Sequence, residues 1–225
     1  MSQSFEIPNN PVPLLPLRNG VLFPGTVITL PVGRPRSVAL LESLKAGDVI
    51  AVGVQRDPKV AKPGIADLFD VGTFGRVHRI VKVSPKHYQL VLEGGPRLRL
   101  EELVSEEPYW RAVVSGLDEQ NADNPEAALR AEAQVGGIAE EISGFGDGVK
   151  KHLKTPSQNP SLVADVIAAG LSLPSEKEIE VLILTDVIQR LKRVAELVGE
   201  ARTLAEMKSK VDREVRSELG KQQRE

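Results

Sequence analysis

The chain has 225 residues, 41% of them hydrophobic and 27% charged, proportions that fit a folded protein and exclude a wholly disordered one. Lys and Arg number 29 against 31 Asp and Glu, a net charge of −2, so nothing in the overall balance points to a polyanion partner. There is no cysteine, which excludes disulfides, thiolate zinc sites and a cysteine nucleophile.

Residues 1–6, Met-Ser-Gln-Ser-Phe-Glu, lack the basic start and apolar core of a secretion signal. No apolar run reaches the roughly 18 residues of a membrane span. The expectation is a soluble cytoplasmic protein with no membrane partner. Charge divides the chain: residues 1–100 carry 13 basic and 7 acidic side chains, residues 101–225 carry 16 and 24. The polar run Asp118 to Pro125 marks the seam, giving a β-rich unit over 1–118 and a helical unit over 119–225.

In chain order, Val12 to Leu17 and Val27 to Val32 read as strands separated by a Gly/Pro loop. Pro35 to Lys45 places Val38, Leu40, Leu41 and Leu44 at helical spacing, with Pro35 suited to the first turn and Gly47 expected to stop the helix. Val49 to Val54 is a third strand, and Gln55 to Asp67 an exposed loop. Four further strands are predicted: Val71 to Val83, His87 to Glu93, Arg97 to Val104 and Trp110 to Leu117, with Gly94-Gly95-Pro96 as a turn. About seven short strands and one helix predict a small antiparallel sheet curled into a partly open barrel.

The second unit reads as helices. Pro125 to Phe145 carries Leu129, Val135, Ile138 and Ile142 on one face, and Gly144, Gly146 and Gly148 punctuate its end. Ser161 is expected to cap Leu162 to Leu171, and Pro174-Ser175 to open the next helix. Thr185 or Asp186 then caps a helix from about 186 that meets no proline, a rod on the order of 60 Å. Its first part has a wide apolar stripe of Val187, Ile188, Leu191, Val194, Ala195, Leu197 and Val198. Past Gly199 only Leu204, Met207, Val211, Val215 and Leu219 remain, a narrow seam that requires a partner helix or continuing chain. Gly199 serves either as a bend or as a site of close packing.

Catalytic patterns do not emerge. Gly20 to Gly25 has the glycine spacing of a phosphate-binding loop, but Thr26-Val27 stand where Lys and a hydroxyl are needed. No G-x-S-x-G elbow occurs. His78 and His87 fall on adjacent predicted strands without a third ligand, and His152 stands apart, so no metal site is expected. Arg76, Arg79, Lys82, Lys86, Arg97 and Arg99 could line a sheet face for nucleic acid, yet aromatics are only 4% and stacking platforms need them. The plainer reading is the wet side of the sheet.

A series of short motifs resembles the N-terminal region of bacterial Lon proteases. They are Pro16-Leu17-Arg18, Phe23-Pro24-Gly25 and Val32-Gly33-Arg34-Pro35-Arg36-Ser37, then Asp67-Leu68-Phe69-Asp70-Val71-Gly72-Thr73 and Val91-Leu92-Glu93-Gly94-Gly95-Pro96-Arg97. Asn159 to Ala168 and Thr185 to Leu191 extend the series into the helical half. Asn19-Gly20 and Gly75 depart from the usual pattern, which affects local loops. The resemblance implies an α+β fold: a PUA-like pseudo-barrel, similar to those of RNA-modifying enzymes, followed by a helical bundle ending in a long helix. It implies recognition of unfolded, damaged or degron-bearing proteins and their delivery to an ATPase module and a Ser–Lys protease module beyond Glu225. ATP and Mg belong to those modules, other subunits to a homo-hexamer, and neither a cofactor nor a catalytic residue to this chain. The alternatives are a stand-alone adaptor of the same fold and an RNA-binding module.

A surface that recognises unfolded chains needs uncovered apolar groups. Leu22, Phe23 and Pro24, between Gly20 and Gly25, are candidates, with a barrel-end plug as the competing role for Phe23. Leu68 and Phe69 are candidates that could equally be core. On the rod, Leu204 and Met207 could meet substrate or a neighbouring subunit, Met being adaptable.

Overall fold

The computed structural model describes residues 5–138 and 150–222, with side chains described as far as Arg216. Six strands are present in that range: β1 Val12–Leu17, β2 Val27–Val32, β3 Val49–Val54, β4 Val71–Ser84, β5 His87–Ser105 and β6 Arg111–Gly116. The described helices are α1 Pro35–Ser43, α2 Pro125–Gly137, α3 Pro160–Gly170, α4 Ser175–Ile183 and α5 Val187–Gln222.

β1 pairs in parallel with β3, placing Leu14 opposite Ala51. All other pairings are antiparallel: β3 with β4, β4 with β5, β5 with β6, and β6 with β1 through Val12 opposite Ala112. These five strands therefore close a ring, and β2 lies outside it along the first half of β5. Closure buries both faces of the central strands. Leu15, Leu17, Ile50 and Val52 enter one apolar cluster, while Val12, Leu14 and Ala51 enter a second with Phe74 and Trp110.

The predicted turn at Gly94-Gly95-Pro96 is not a turn, so six strands replace the expected seven. Gly75 stands opposite Gly94 and Thr73 opposite Arg97, so β5 advances three residues while β4 advances two. The extra residue is a bulge that bends β5, letting its first half pair with β2 and its second with β6. Glycine is required at 94 because a Cβ there would be driven into the Phe23 carbonyl. The same neighbour relation supplies two backbone bonds, Gly25 N–H to the Gly94 carbonyl and Gly94 N–H to the Thr26 carbonyl, both 2.8 Å.

α1 begins at Pro35 as expected but ends at Ser43, with Leu44 already extended. Gly47 does not stop this helix. Its φ of +94° serves the turn into β3 instead.

In the helical unit, α2 buries Ala127 and Ala131, and Ile138, expected in the core, is buried just past its end, whereas Leu129 is 67% exposed. Val135 packs against the same cluster, so of the predicted face only Leu129 turns outward; its place is taken by the small Ala127 and Ala131, and Gln134 donates its amide to the Leu191 carbonyl of α5. Ile142 and the Gly144, Gly146 and Gly148 run lie outside the described residues. Asn159 rather than Ser161 caps α3, its Oδ1 accepting from the Leu162 N–H at 3.1 Å, and Ser161 turns inward. Asp186 caps α5 as expected, accepting from the Gln189 N–H at 3.0 Å.

α5 has 36 residues, about 54 Å at 1.5 Å each. Val187, Ile188, Leu191, Val194, Leu197 and Val198 are buried against the bundle, and Ala195, expected in that stripe, is exposed. The helix continues through Gly199, where a Cβ would meet nothing within 4 Å, so close packing is not the reason for this glycine. From Arg202 to Arg216 every residue is exposed.

Candidate functional site

Three features of this frame bear on what the molecule can bind: the loop between β1 and β2, the joint between barrel and bundle, and the free part of α5. The loop reverses at Gly20 and Gly25, with φ of +73° and +74°, and the Thr26 hydroxyl donates to the Phe23 carbonyl at 2.7 Å. It is also tied to the bundle, because the Gly20 N–H donates to Ser175 Oγ at 3.0 Å. Its side chains are consequently covered. Leu22 is 1% exposed in the barrel core, and Phe23 is 2% exposed within the apolar cluster of the helical unit. Pro24 is also buried. The loop is a plug between the two units, so Leu22, Phe23 and Pro24 present no apolar surface.

Leu68 is buried in the second barrel cluster. Phe69 packs against the helical cluster, and the Arg56 guanidinium lies 4.6 Å from its ring centroid. Both are core. Leu204 and Met207 alone among the seven candidates are uncovered, at 54% and 60% exposure, and Val211 and Val215 continue their line. Leu219 lies beyond the described side chains.

The joint was not anticipated. Arg97 of β5 forms a two-pronged pair with Asp165 of α3, at 2.6 and 2.7 Å. Arg190 of α5 reaches the same carboxylate at 3.3 Å and the Ser161 hydroxyl at 3.0 Å. Glu119, which follows β6, accepts from both guanidiniums, at 3.0 Å from Arg97 and 2.6 Å from Arg190. The two Nε–H groups donate to the Leu182 and Leu184 carbonyls, each at 2.8 Å. Arg97, Asp165 and Arg190 are shut off from solvent, and the partly exposed Glu119 completes a neutral quartet of two cations and two anions. It ties the barrel to α3 and α5. Arg97, expected among the wet sheet cations, is instead the barrel's contribution to this joint. Nearby, the chain linking the units is knitted to the start of α5 by Gln120 N–H to Thr185 O and Val187 N–H to Gln120 O.

Burial alone would raise the pKa of Glu119, but Arg190, the Ser161 hydroxyl and Arg97 together hold it below the usual glutamate value. The folded value lies below the unfolded one, about 4.3, so this carboxylate stabilises the fold fully above that pH. Its contribution is lost as pH falls through the folded value. Urea titrations between about pH 6 and pH 3 should therefore show a shallower loss of stability in Glu119→Gln than in the parent chain. Parallel curves would assign the acid sensitivity to other carboxylates.

The remaining predicted groups are scattered. His78 pairs with Glu93 at 3.0 Å, while His87 sits at the far end of the β4–β5 hairpin beside Ser84. Among the described residues no His and carboxylate cluster could hold a metal ion. Arg79, Lys82, Lys86 and Arg99 are exposed, and Arg76 lies against the Phe5 ring and Glu93. No described helix is long and apolar enough to cross a membrane.

Comparison with known proteins places this architecture. A family model described as the ATP-dependent protease La (LON) substrate-binding domain matches residues 11–200. The chain is 52% identical over 219 residues to Lon protease 4 of Sorangium cellulosum, covering 97% of this chain and 27% of that protein. It is 34% identical to Lon protease 2 of Myxococcus xanthus, covering 95% and 26%. It thus spans about a quarter of the length of these relatives. A Lon N-terminal domain protein from Xanthomonas campestris superimposes with a TM-score of 0.55 at 21% identity, over 82% of this chain and 96% of the other. The N-terminal domain of a Mycobacterium avium complex Lon protease gives 0.59 at 14% identity, over 84% and 97%. At those identities the likeness is one of fold.

Proposed function

Because the chain belongs to the Lon substrate-binding domain family, we propose that it receives unfolded, damaged or degron-bearing client polypeptides and passes them to ATP-driven proteolytic modules of a longer parent protein. In this reading the parent works in the cytoplasm as a homo-hexamer, and ATP, Mg and the Ser–Lys chemistry belong to its other modules. This chain contributes recognition and geometry. The observation that carries the reading is the form of α5. Its first three turns are bolted into the bundle, while Leu204, Met207, Val211 and Val215 stand uncovered on a helix that continues past the body of the domain.

An isolated apolar line of this kind is too narrow to fold on itself, and water penalises its exposure. It suits contact with a client segment or a neighbouring subunit, and the flexible Met207 tolerates varied partners. A fluorescently labelled, reduced and carboxymethylated protein titrated with the chain tests the reading. Leu204→Asp combined with Met207→Asp should weaken binding by about fivefold or more, through lost apolar burial. Thermal unfolding should be nearly unchanged, because neither side chain is packed. Equal affinity in parent and double variant would remove α5 from the client surface, and no binding by the parent would remove the reading itself.

A further inference from the structure

Two adjoining hollows of about 460 and 480 Å³ open beside the first turn of α1 and share Pro16, Arg34 and Ser37. The second lies between β1 and β2, walled by Leu17, Leu30, Pro31 and Val32. The first is walled by Leu14, Pro63 and Trp110. β2 pairs with β5 along one edge only; among the described residues its other edge, facing this space, pairs with no strand. Such an edge accepts an extended chain through its backbone groups.

The charge around the hollows is unbalanced. Arg36 is neutralised by Glu106 at 2.9 Å and Glu107 at 2.8 Å. Among the described residues Arg34 meets no carboxylate and bonds only the neutral Gln55 Oε1, at 2.7 Å. Arg18 and Lys62 pair with no acid among the described residues. Burial, and after it the nearby Arg18 charge, hold Arg34 below the ordinary arginine value. Ser37 is 7% exposed, lines both hollows, and its hydroxyl makes no hydrogen bond to a described residue. The first turn of α1 has no side-chain cap. An anionic group would satisfy the cations, the hydroxyl and the helix start together.

We propose that these joined hollows bind one extended client segment in which aliphatic and acidic residues alternate. Its aliphatic side chains lie between β1 and β2 and against Trp110, and a carboxylate lies among Arg18, Arg34 and Ser37. The proposal rests on the client-binding function above and gives that function a sequence preference. A nucleic acid fits less well, because the walls are aliphatic and proline-rich, with Trp110 the single tryptophan of the chain and no row of rings for bases to stack on.

The test uses the 225-residue chain and three fluorescein-labelled probes: a peptide alternating leucine and aspartate, the same peptide with lysine for aspartate, and an oligouridylate. The acidic peptide should bind about tenfold or more tightly than the basic one and shift the emission of Trp110. Arg18→Glu should weaken it by about tenfold or more while leaving thermal unfolding unchanged, since Arg18 is exposed and makes no contact that folding requires. Arg34→Gln should weaken it similarly. Unchanged affinity in Arg18→Glu, equal binding of the two peptides, or binding of the oligouridylate in place of the peptide would overturn the assignment. If the carboxymethylated protein still binds in any of those cases, the groove fails alone. If it does not, the client-binding reading fails with it.

Discussion

Replacing Asp165 by alanine should lower the unfolding free energy by about 3–5 kcal/mol, because it strands two buried guanidiniums in a site closed to water. The magnitude comes from desolvation rather than from the strength of any single bond. With the carboxylate present, Arg97 has both its terminal nitrogens and its Nε engaged, and Arg190 is similarly complete. Without it, each cation keeps part of its burial cost and loses a counter-ion. Urea unfolding followed by far-ultraviolet circular dichroism measures the change. A contrasting variant isolates the cause: Arg97→Met, Asp165→Leu and Arg190→Met together, with Glu119→Gln, should recover most of the loss. If the uncharged quartet is as unstable as Asp165→Ala, packing rather than charge governs the joint. A loss under about 1 kcal/mol for Asp165→Ala would mean that water reaches the network.

Phe23→Ala should cost about 3–5 kcal/mol, the usual range for deleting a buried phenylalanine. The ring is 2% exposed and belongs to the cluster that includes Val163, Leu182 and Val187, although its backbone belongs to the barrel. An uncovered Phe23 that met clients would be dispensable to the fold; buried between the units, as the competing plug role requires, it is not. Loss of the ring should loosen the contact between the units, visible as a lowered thermal midpoint and faster amide exchange in the Gly20–Gly25 loop. Retention of parental stability would show that the loop is not seated as described.

The regular elements were readable because their periodicity is local. Val12–Leu17, Val27–Val32 and Val49–Val54 coincide with their predicted limits, since each is a short apolar run bounded by Gly or Pro. The mistakes share a different origin. Gly94-Gly95-Pro96 has the composition of a turn, but the glycine is there to admit the Phe23 carbonyl, a neighbour 71 positions away in sequence. Leu129 was placed in the core because it is large, while the contact with α5 needed the small Ala127 and Ala131. Arg97 alternates with apolar residues just as exposed strand arginines do, and nothing local separates it from Arg99. Its partner Asp165 does carry a signal: an acidic residue in the middle of Val163-Ala164-Asp165-Val166-Ile167, an otherwise apolar run, demands a cation. The hollows beside α1 left no local trace, because they exist only where β1 and β2 are held apart by the rest of the barrel.

The ring of strands has a consequence for how the chain is made. Of the six described strands β1 is synthesised first, yet it lies between β3 and β6, and its pairing with Ala112 waits for that residue to leave the ribosome. At about 5–20 residues per second, the delay is on the order of 5–20 seconds. Throughout it, Leu14, Leu15 and Leu17 have at most one flank covered, and Arg97 must wait longer still for Asp165 and Arg190. During its own birth this domain is an unfolded chain in need of shelter, the same kind of molecule it is proposed to receive once complete.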